Sequence, residues 1–336
     1  MTKREPGLDL LRCIALLFVV TFHSFLYNGY YFEPQTGIAM WLAGSLRWLS
    51  VSCIGLFLML TGYLKSEKTD VRACYRGLVP VLMGYFIAAA ISIPIRHFIF
   101  SDVQTFSTWL TRLFSFSAVY YGWYVEMYIG LVLLCPFVNI VLPQLQSTKA
   151  LLIFGLVMVV ITALPGATPW VLFPDYWRSL YPLTYYIWGA IVRQIQPKIN
   201  PWLGISGALM MSAILGAATV LSTDDQLSDA LIWEFPDLWI TFIVVCLFVA
   251  LYRIRIPSAI SRILAFGSSG CYGGYLISHL FDAWCYNLFP VWRSPEHYAV
   301  LFICVTVPIY ITSLHFGVLL ESIRHIKRNR TKKSIE

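Results

Sequence analysis

The chain alternates between long apolar runs and short polar or basic segments. A membrane-spanning helix needs about 20 mostly apolar residues, and ten runs reach or approach that length. They cover residues 8–27, 43–64, 76–95, 122–142, 149–165, 180–193, 203–222, 236–252, 264–286 and 298–320. The pattern predicts an all-α polytopic membrane protein of about ten transmembrane helices. Residues 1–323 then form one membrane-embedded domain, and residues 324–336 form a basic tail.

The composition supports this interpretation. Apolar residues make up 58% of the chain and charged residues only 12%, whereas soluble domains carry about 25% charged residues. So little charge excludes a soluble globular enzyme, a disordered chain and a secreted disulfide scaffold. The eight cysteines lie singly, mostly within apolar runs, without the spacing of a metal centre. We therefore interpret them as packing residues and expect no metal.

Basic residues fix the predicted orientation. The chain has 24 lysines and arginines against 17 acidic residues. If the N-terminus is cytoplasmic, most basic residues fall in cytoplasmic segments, and only a few, among them Arg96, Arg112 and Arg178, lie between helices on the other side. The positive-inside rule thus predicts cytoplasmic N- and C-termini in a multi-pass protein of the cell membrane. Because the charges follow helix ends and do not form one soluble patch, we expect membrane lipid, and no nucleic acid, as a partner.

The first helix carries the most informative polar pattern. Arg12 and His23 are eleven residues apart, which places them within about 20° on one helix face and about 16 Å apart along the axis. A basic residue at the cytoplasmic end suits a phosphate, and a buried imidazole suits a base. The alternative is a structural Asp9–Arg12 pair and a histidine that only packs between helices.

Further ionisable residues fall within predicted spans, where such groups are expensive and often functional. We interpret Arg47 as reaching outward to the membrane surface and His315 as packing, which leaves Glu126, His279 and Asp282 as candidates. Glu126 lies about as far below the outer end of its helix as His23 does, so the two could pair. A carboxylate beside an imidazole raises its basicity. His279 and Asp282 are one turn apart in the ninth run. They either pair with each other structurally or line the same cavity as His23.

Five segments, in order, resemble the acyltransferase-3 family of integral membrane enzymes, which O-acylate cell-envelope glycans and similar acceptors. LDLLRCIALLFVVTFH (8–23) is similar to the first-helix signature, and FLMLTGYL (57–64) to the second-helix motif, with Thr61 in place of Ser. YRGLVPVLMGY (75–85) resembles the entry to the third helix, although its Arg pair is altered. The remaining two are WYVEMYIGLVLLCPF (123–137) and FGSSGCYGGYLISH (266–279), in which Cys271 replaces Ser.

The resemblance implies a mechanism. Acetyl-CoA would be the acyl donor from the cytoplasm, its phosphates held by Arg12 together with Arg76 and Arg72. His23 would act as the general base and Glu126 would orient it. The substrate-binding residues would be Trp123, Tyr124, Tyr275, His279 and Asp282.

The acceptor implied by the resemblance is an envelope glycan or lipid-linked saccharide, and a homo-oligomer is left open. Two other classes of function remain as alternatives. A secondary transporter also places ionisable groups within the membrane, although no internal repeat is visible. A non-catalytic membrane partner of glycan assembly is allowed by the altered Thr61 and Cys271 positions, but Arg12, His23 and Glu126 are intact.

Overall fold

A computed structural model describes residues 4–167, 173–221, 237–288 and 297–333. This part of the chain is built from α-helices joined by short connections and a few 3-10 turns. The helices are α1 (Pro6–Tyr27), α2 (Gly37–Val51), α3 (Cys53–Lys65), α4 (Val71–Arg76), α5 (Val79–Phe98), α6 (Phe106–Phe114), α7 (Trp123–Val141), α8 (Thr148–Ala167), α9 (Tyr181–Ile195), α10 (Pro201–Leu221), α11 (Leu238–Leu251), α12 (Ser258–Leu288), α13 (Tyr298–Leu301) and α14 (Val307–Lys333).

Each predicted apolar run coincides with helix. Within the described ranges, six helical segments are long and apolar enough to cross a membrane: Pro6–Tyr27, Gly37–Lys65, Val71–Phe98, Trp123–Gln144, Pro201–Leu221 and Tyr298–Ser322. The all-α membrane architecture is therefore supported, whereas the count of ten spans and the orientation of the termini stay predictions. The predicted basic tail, 324–336, begins inside α14, which continues to Lys333, and residues 334–336 lie outside the described residues.

Local sequence explains where several helices begin. Prolines stand in the first turn of α1, α5 and α9, where the missing N–H costs no hydrogen bond. Asp70 accepts hydrogen bonds from the backbone N–H groups of Arg72 and Ala73 and caps α4. Asp237 caps α11 in the same way through Trp239 and Ile240.

Glycines let the central helices approach closely, as is common between membrane helices. A Cβ atom at Gly317 of α14 would collide with the backbone oxygen of Gly270 in α12. A Cβ atom at Gly62 of α3 would likewise collide with the backbone oxygen of Tyr186 in α9. These contacts, together with the packing of α1 against both α3 and α12, surround α1 and bury most of its side chains.

Candidate active site

His23 lies in the C-terminal half of α1 beside an acidic residue of α12. Its Nδ1 atom is 4.0 Å from the Oδ2 atom of Asp282. The imidazole stacks on the ring of Tyr121, with 3.8 Å between ring centroids and 13° between planes. The Tyr121 hydroxyl donates a 2.8 Å hydrogen bond to the same Asp282 oxygen. Tyr121 thus contacts both members of the pair and fixes their relative position.

A second histidine completes this buried cluster. The ring of His279 meets the ring of Tyr121 edge-on at 5.6 Å, and its Nδ1 atom lies 3.0 Å from the Leu276 backbone oxygen. Three buried polar atoms of this cluster have no hydrogen-bond partner among the residues that the structure describes: His23 Nδ1, His279 Nε2 and Asp282 Oδ1. Buried polar groups are almost always paired, so this concentration of unsatisfied atoms suits a site completed by a bound polar group or water.

The periodicity of α12 brings its share of the cluster together. At 100° per residue, Tyr275, His279 and Asp282 fall within about 60° of one another on one helix face. That face packs against α1, which carries His23. Tyr121 comes from the turn that precedes α7, so an irregular backbone segment inserts its ring between two helices.

A cavity of about 530 Å³ opens at the other end of α1, on the predicted cytoplasmic side. Three cationic side chains, Arg4, Arg12 and Lys65, line it together with one acidic side chain, Glu321. Arg12 is 30% exposed and therefore partly accessible. Lys65 donates a 2.6 Å hydrogen bond to the Tyr128 hydroxyl at the cavity wall. A cavity of this size with several cations suits an anionic small molecule.

Asp9 organises the cations at the mouth of this cavity. Its carboxylate lies 2.6 Å from Arg4 Nε and 2.9 Å from Arg12 Nη1. Ser268 of α12 donates a further 2.6 Å hydrogen bond to the same carboxylate. The Asp9–Arg12 pair weighed as a structural alternative is therefore present. Asp9, Arg4 and Arg12 together keep a net positive charge, because one carboxylate faces two guanidinium groups.

A layer of three tyrosines, Tyr121, Tyr124 and Tyr275, separates the cavity from His23. Tyr124 and Tyr275 line the inner part of the cavity, and their rings meet edge-on at 5.4 Å. Tyr275 donates a 2.8 Å hydrogen bond to the backbone oxygen of Tyr121, whose ring covers His23. The cavity and the His23 cluster are thus neighbours with one aromatic layer between them.

The predicted pairing of Glu126 with His23 is wrong. Glu126 is exposed on α7, whereas Tyr124 and Tyr128 of that helix are buried. Glu126 lies two residues from each of them, about 200° around the helix, so its side chain points away from the core. The carboxylate that approaches His23 is Asp282.

The other predicted site residues lie in the His23 cluster, in the wall of the cavity or in neither place. His279 and Asp282 join His23, and Tyr124 and Tyr275 line the cavity. Trp123 packs against the apolar core and lines neither place.

Arg72 and Arg76 are exposed on α4 and do not line the cavity. Each lies two residues from Cys74, the buried residue of that helix, and so points away from the bundle.

Sequence analysis missed three residues of these sites: Tyr121, Arg4 and Lys65. Arg4 precedes α1 and Lys65 ends α3. In the sequence, such basic residues at helix ends indicated only the orientation of the helices in the membrane. Lys65 could have been identified by its spacing, because it lies one helical turn after Thr61 of the FLMLTGYL segment and therefore on the same helix face. No periodic signal identifies Tyr121, because it lies outside any helix.

No metal site is formed by the side chains that the structure describes. Across residues 4–167, 173–221, 237–288 and 297–333, no three histidine, cysteine or acidic side chains converge as metal ligands. The groups that the described part of the His23 cluster presents are two imidazoles, a carboxylate and a phenol.

The fold and these sites define a helical membrane protein with a basic cavity beneath a buried histidine–carboxylate pair. Residues 5–320 match the family model described as an acyltransferase domain. The chain belongs to the acyltransferase-3 family. No curated protein and no solved structure matches it. Family membership and the apolar helices together support a membrane acyltransferase in general terms.

Proposed function

We propose that this protein is a cell-membrane O-acyltransferase. It transfers an acetyl group from cytoplasmic acetyl-CoA to a hydroxyl of an envelope glycan or lipid-linked saccharide. The observation that carries the proposal is the buried cluster of His23, Asp282 and His279, with one unsatisfied polar atom on each, one tyrosine layer away from a basic cavity. Family membership supports the reaction type, and the identity of donor and acceptor follows from the resemblance and the charge of the cavity.

The cavity is the proposed donor site. Arg4, Arg12 and Lys65 would bind the phosphates of the donor, since guanidinium and ammonium groups both recognise phosphate oxygens. Arg12 lies about 16 Å along α1 from His23. An extended pantetheine arm would span this distance, passing Tyr124 and Tyr275 to bring the thioester to the His23 cluster.

His23 is the proposed general base. Its Nδ1 atom faces Asp282, which leaves Nε2 to take the proton from the acceptor hydroxyl. The hydroxyl oxygen then attacks the thioester carbonyl, and the carbon–sulfur bond breaks as the tetrahedral intermediate collapses. The departing thiolate of CoA recovers the proton from the imidazolium.

Asp282 is the proposed orienting group, in the role that sequence analysis gave to Glu126. A carboxylate near Nδ1 stabilises the imidazolium and favours the tautomer that presents an unprotonated Nε2. The separation of 4.0 Å is longer than a hydrogen bond, as is common before substrate binds.

The test uses purified protein in lipid nanodiscs with radiolabelled acetyl-CoA and a candidate envelope glycan. We expect His23→Ala to abolish transfer while acetyl-CoA still binds, and Arg12→Ala to weaken donor binding. Normal transfer by His23→Ala would refute the mechanism. A wild-type protein that binds no acetyl-CoA would favour the transporter or the non-catalytic partner.

A further inference from the structure

The turn between α6 and α7, residues 115–122, places Tyr121 against His23. Its backbone is held in an unfavourable conformation, because Phe116 has a φ of 56°, in the left-handed region that residues with a Cβ rarely adopt. Gly122 packs so tightly that a Cβ atom there would collide with the backbone oxygen of Phe116. Such conformations persist only where the surroundings enforce them.

Arg96, at the outer end of α5, grips this turn from one side. The residue is only 4% exposed. Its Nη1 atom donates hydrogen bonds to the backbone oxygens of Ala118, at 2.8 Å, and Ser117, at 3.2 Å. Its guanidinium also lies 4.2 Å from the ring centroid of Tyr120, the residue before Tyr121. Arg96 therefore contacts three of the residues that lead into Tyr121.

The guanidinium is itself held by Asp102. Its Nη2 and Nε atoms lie 2.6 Å and 3.1 Å from one oxygen of that carboxylate. Arg112 of α6 donates a 3.0 Å hydrogen bond to the same oxygen and, like Arg96, lies over the ring of Trp109. The Arg112 side chain contacts this carboxylate and ring, whereas its hold on the turn is through its backbone oxygen, which accepts hydrogen bonds from the N–H groups of Ser117 and Ala118. A side-chain substitution leaves those backbone hydrogen bonds in place, which makes Arg112→Gln a matched control.

Tyr121 connects the turn that Arg96 holds to the His23 cluster. Its backbone oxygen accepts a hydrogen bond from Tyr275, its hydroxyl donates to Asp282, and its ring stacks on His23. A displacement of the turn by about 1 Å would break the 2.8 Å hydrogen bond to Asp282 and offset the stack. Misplacement on that scale can cost about a hundredfold in rate.

We propose that Arg96 is a positioning residue. It holds the 115–122 turn so that Tyr121 keeps His23 and Asp282 in register. The catalytic consequence rests on the proposed acyl transfer, but the placement of His23 does not. The test therefore includes a readout that needs no activity.

The experiment compares Arg96→Gln, Arg96→Lys and Arg112→Gln in nanodiscs. The rate of His23 modification by diethyl pyrocarbonate, followed by peptide mass spectrometry, reports how well Tyr121 covers the imidazole. We expect Arg96→Gln to raise this rate about tenfold or more, as expected from the loss of charge-assisted hydrogen bonds. Arg96→Lys should give an intermediate rise, since an ammonium lacks the guanidinium fork. Arg112→Gln should stay within about twofold of wild type.

Acetyl transfer provides the second readout. We expect Arg96→Gln to lower kcat about tenfold or more with the KM for acetyl-CoA unchanged, because Arg12, a proposed phosphate ligand, lies about 16 Å along α1 from His23. Unchanged His23 modification in folded Arg96→Gln and Arg96→Lys protein would overturn the proposal, as would an equal effect of Arg112→Gln. If Arg96→Gln does not fold, Arg96→Lys decides. Increased His23 modification in a protein without transferase activity would support the positioning role and refute the proposed function alone.

Discussion

Replacing Asp282 by asparagine tests which acid orients His23. The structure places Asp282 beside His23, whereas the sequence suggested Glu126. The substitution preserves size and leaves an amide oxygen for the Tyr121 hydroxyl, so the fold should be retained. What is lost is the carboxyl group whose ionised form would face the imidazolium across 4.0 Å. Two unit charges at that distance interact by about 4 kcal/mol at an effective dielectric constant of about 20. Because Asp282 is fully buried, water screens little of this.

If the imidazolium develops fully in the transition state, the loss corresponds to about a thousandfold in kcat. Steady-state acetyl transfer measured at saturating donor reports it, and the KM for acetyl-CoA should change little. Glu126→Gln is the matched control, and we expect it to stay within about twofold, because Glu126 is exposed. A large loss in Glu126→Gln together with near-normal transfer by Asp282→Asn would refute the assignment.

Three other outcomes test the donor cavity, the packing and the outer ion pairs. Arg12→Ala should raise the KM for acetyl-CoA about tenfold, whereas Arg72→Ala, outside the cavity, should not; equal effects would contradict the donor site. Gly62→Ala should destabilise the protein by about 1–3 kcal/mol, seen as a lower Tm in detergent, while Gly130→Ala, with nothing within 4 Å of the added Cβ, should leave Tm unchanged or raise it. Although burial raises the pKa of Asp102, hydrogen bonds from a neighbouring glutamine and arginine and the arginine charges hold it below its ordinary value. Its stabilisation should thus be fully present above about pH 4 and be lost as the pH falls through the lowered pKa, so Asp102→Asn should lower Tm at pH 7, and this difference should shrink as the pH falls below about 4; a Tm difference that stays constant through this acid range would contradict this.

The helices could be predicted from the sequence because an apolar run of span length has few other stable forms in lipid. Interruptions within a run were harder to predict. The run at 43–64 is divided between α2 and α3 at Ser52, and the last run includes a π-helical segment, Phe302–Thr306, before α14. Both runs keep a high mean hydropathy across the break, and Ser50 and Ser52 are too weak a polar signal to divide the first one.

The sequence predicted those relations between site residues that lie within a single helix. The shared face of Arg12 and His23 follows from the helical repeat alone, and so does the proximity of His279 to Asp282. The partner of His23 depends on packing between helices that are distant in sequence. Similar depth in the membrane suggested Glu126, whereas the packing brings Asp282 beside His23. Arg96 illustrates the same limit: its sequence position marked it as an outer-side charge, whereas the fold buries it.

The tyrosine layer between the cavity and His23 has a consequence for the cell that houses this protein. A membrane that maintains an ion gradient cannot tolerate a continuous water-filled path, since protons and small ions would flow through it. Tyr121, Tyr124 and Tyr275 are each less than 10% exposed and fill the passage with aromatic rings. Under the proposed function, the pantetheine arm that passes between these rings opens no column of water. The proposed transfer would thus bring an acetyl group through the bundle without giving ions a continuous aqueous path.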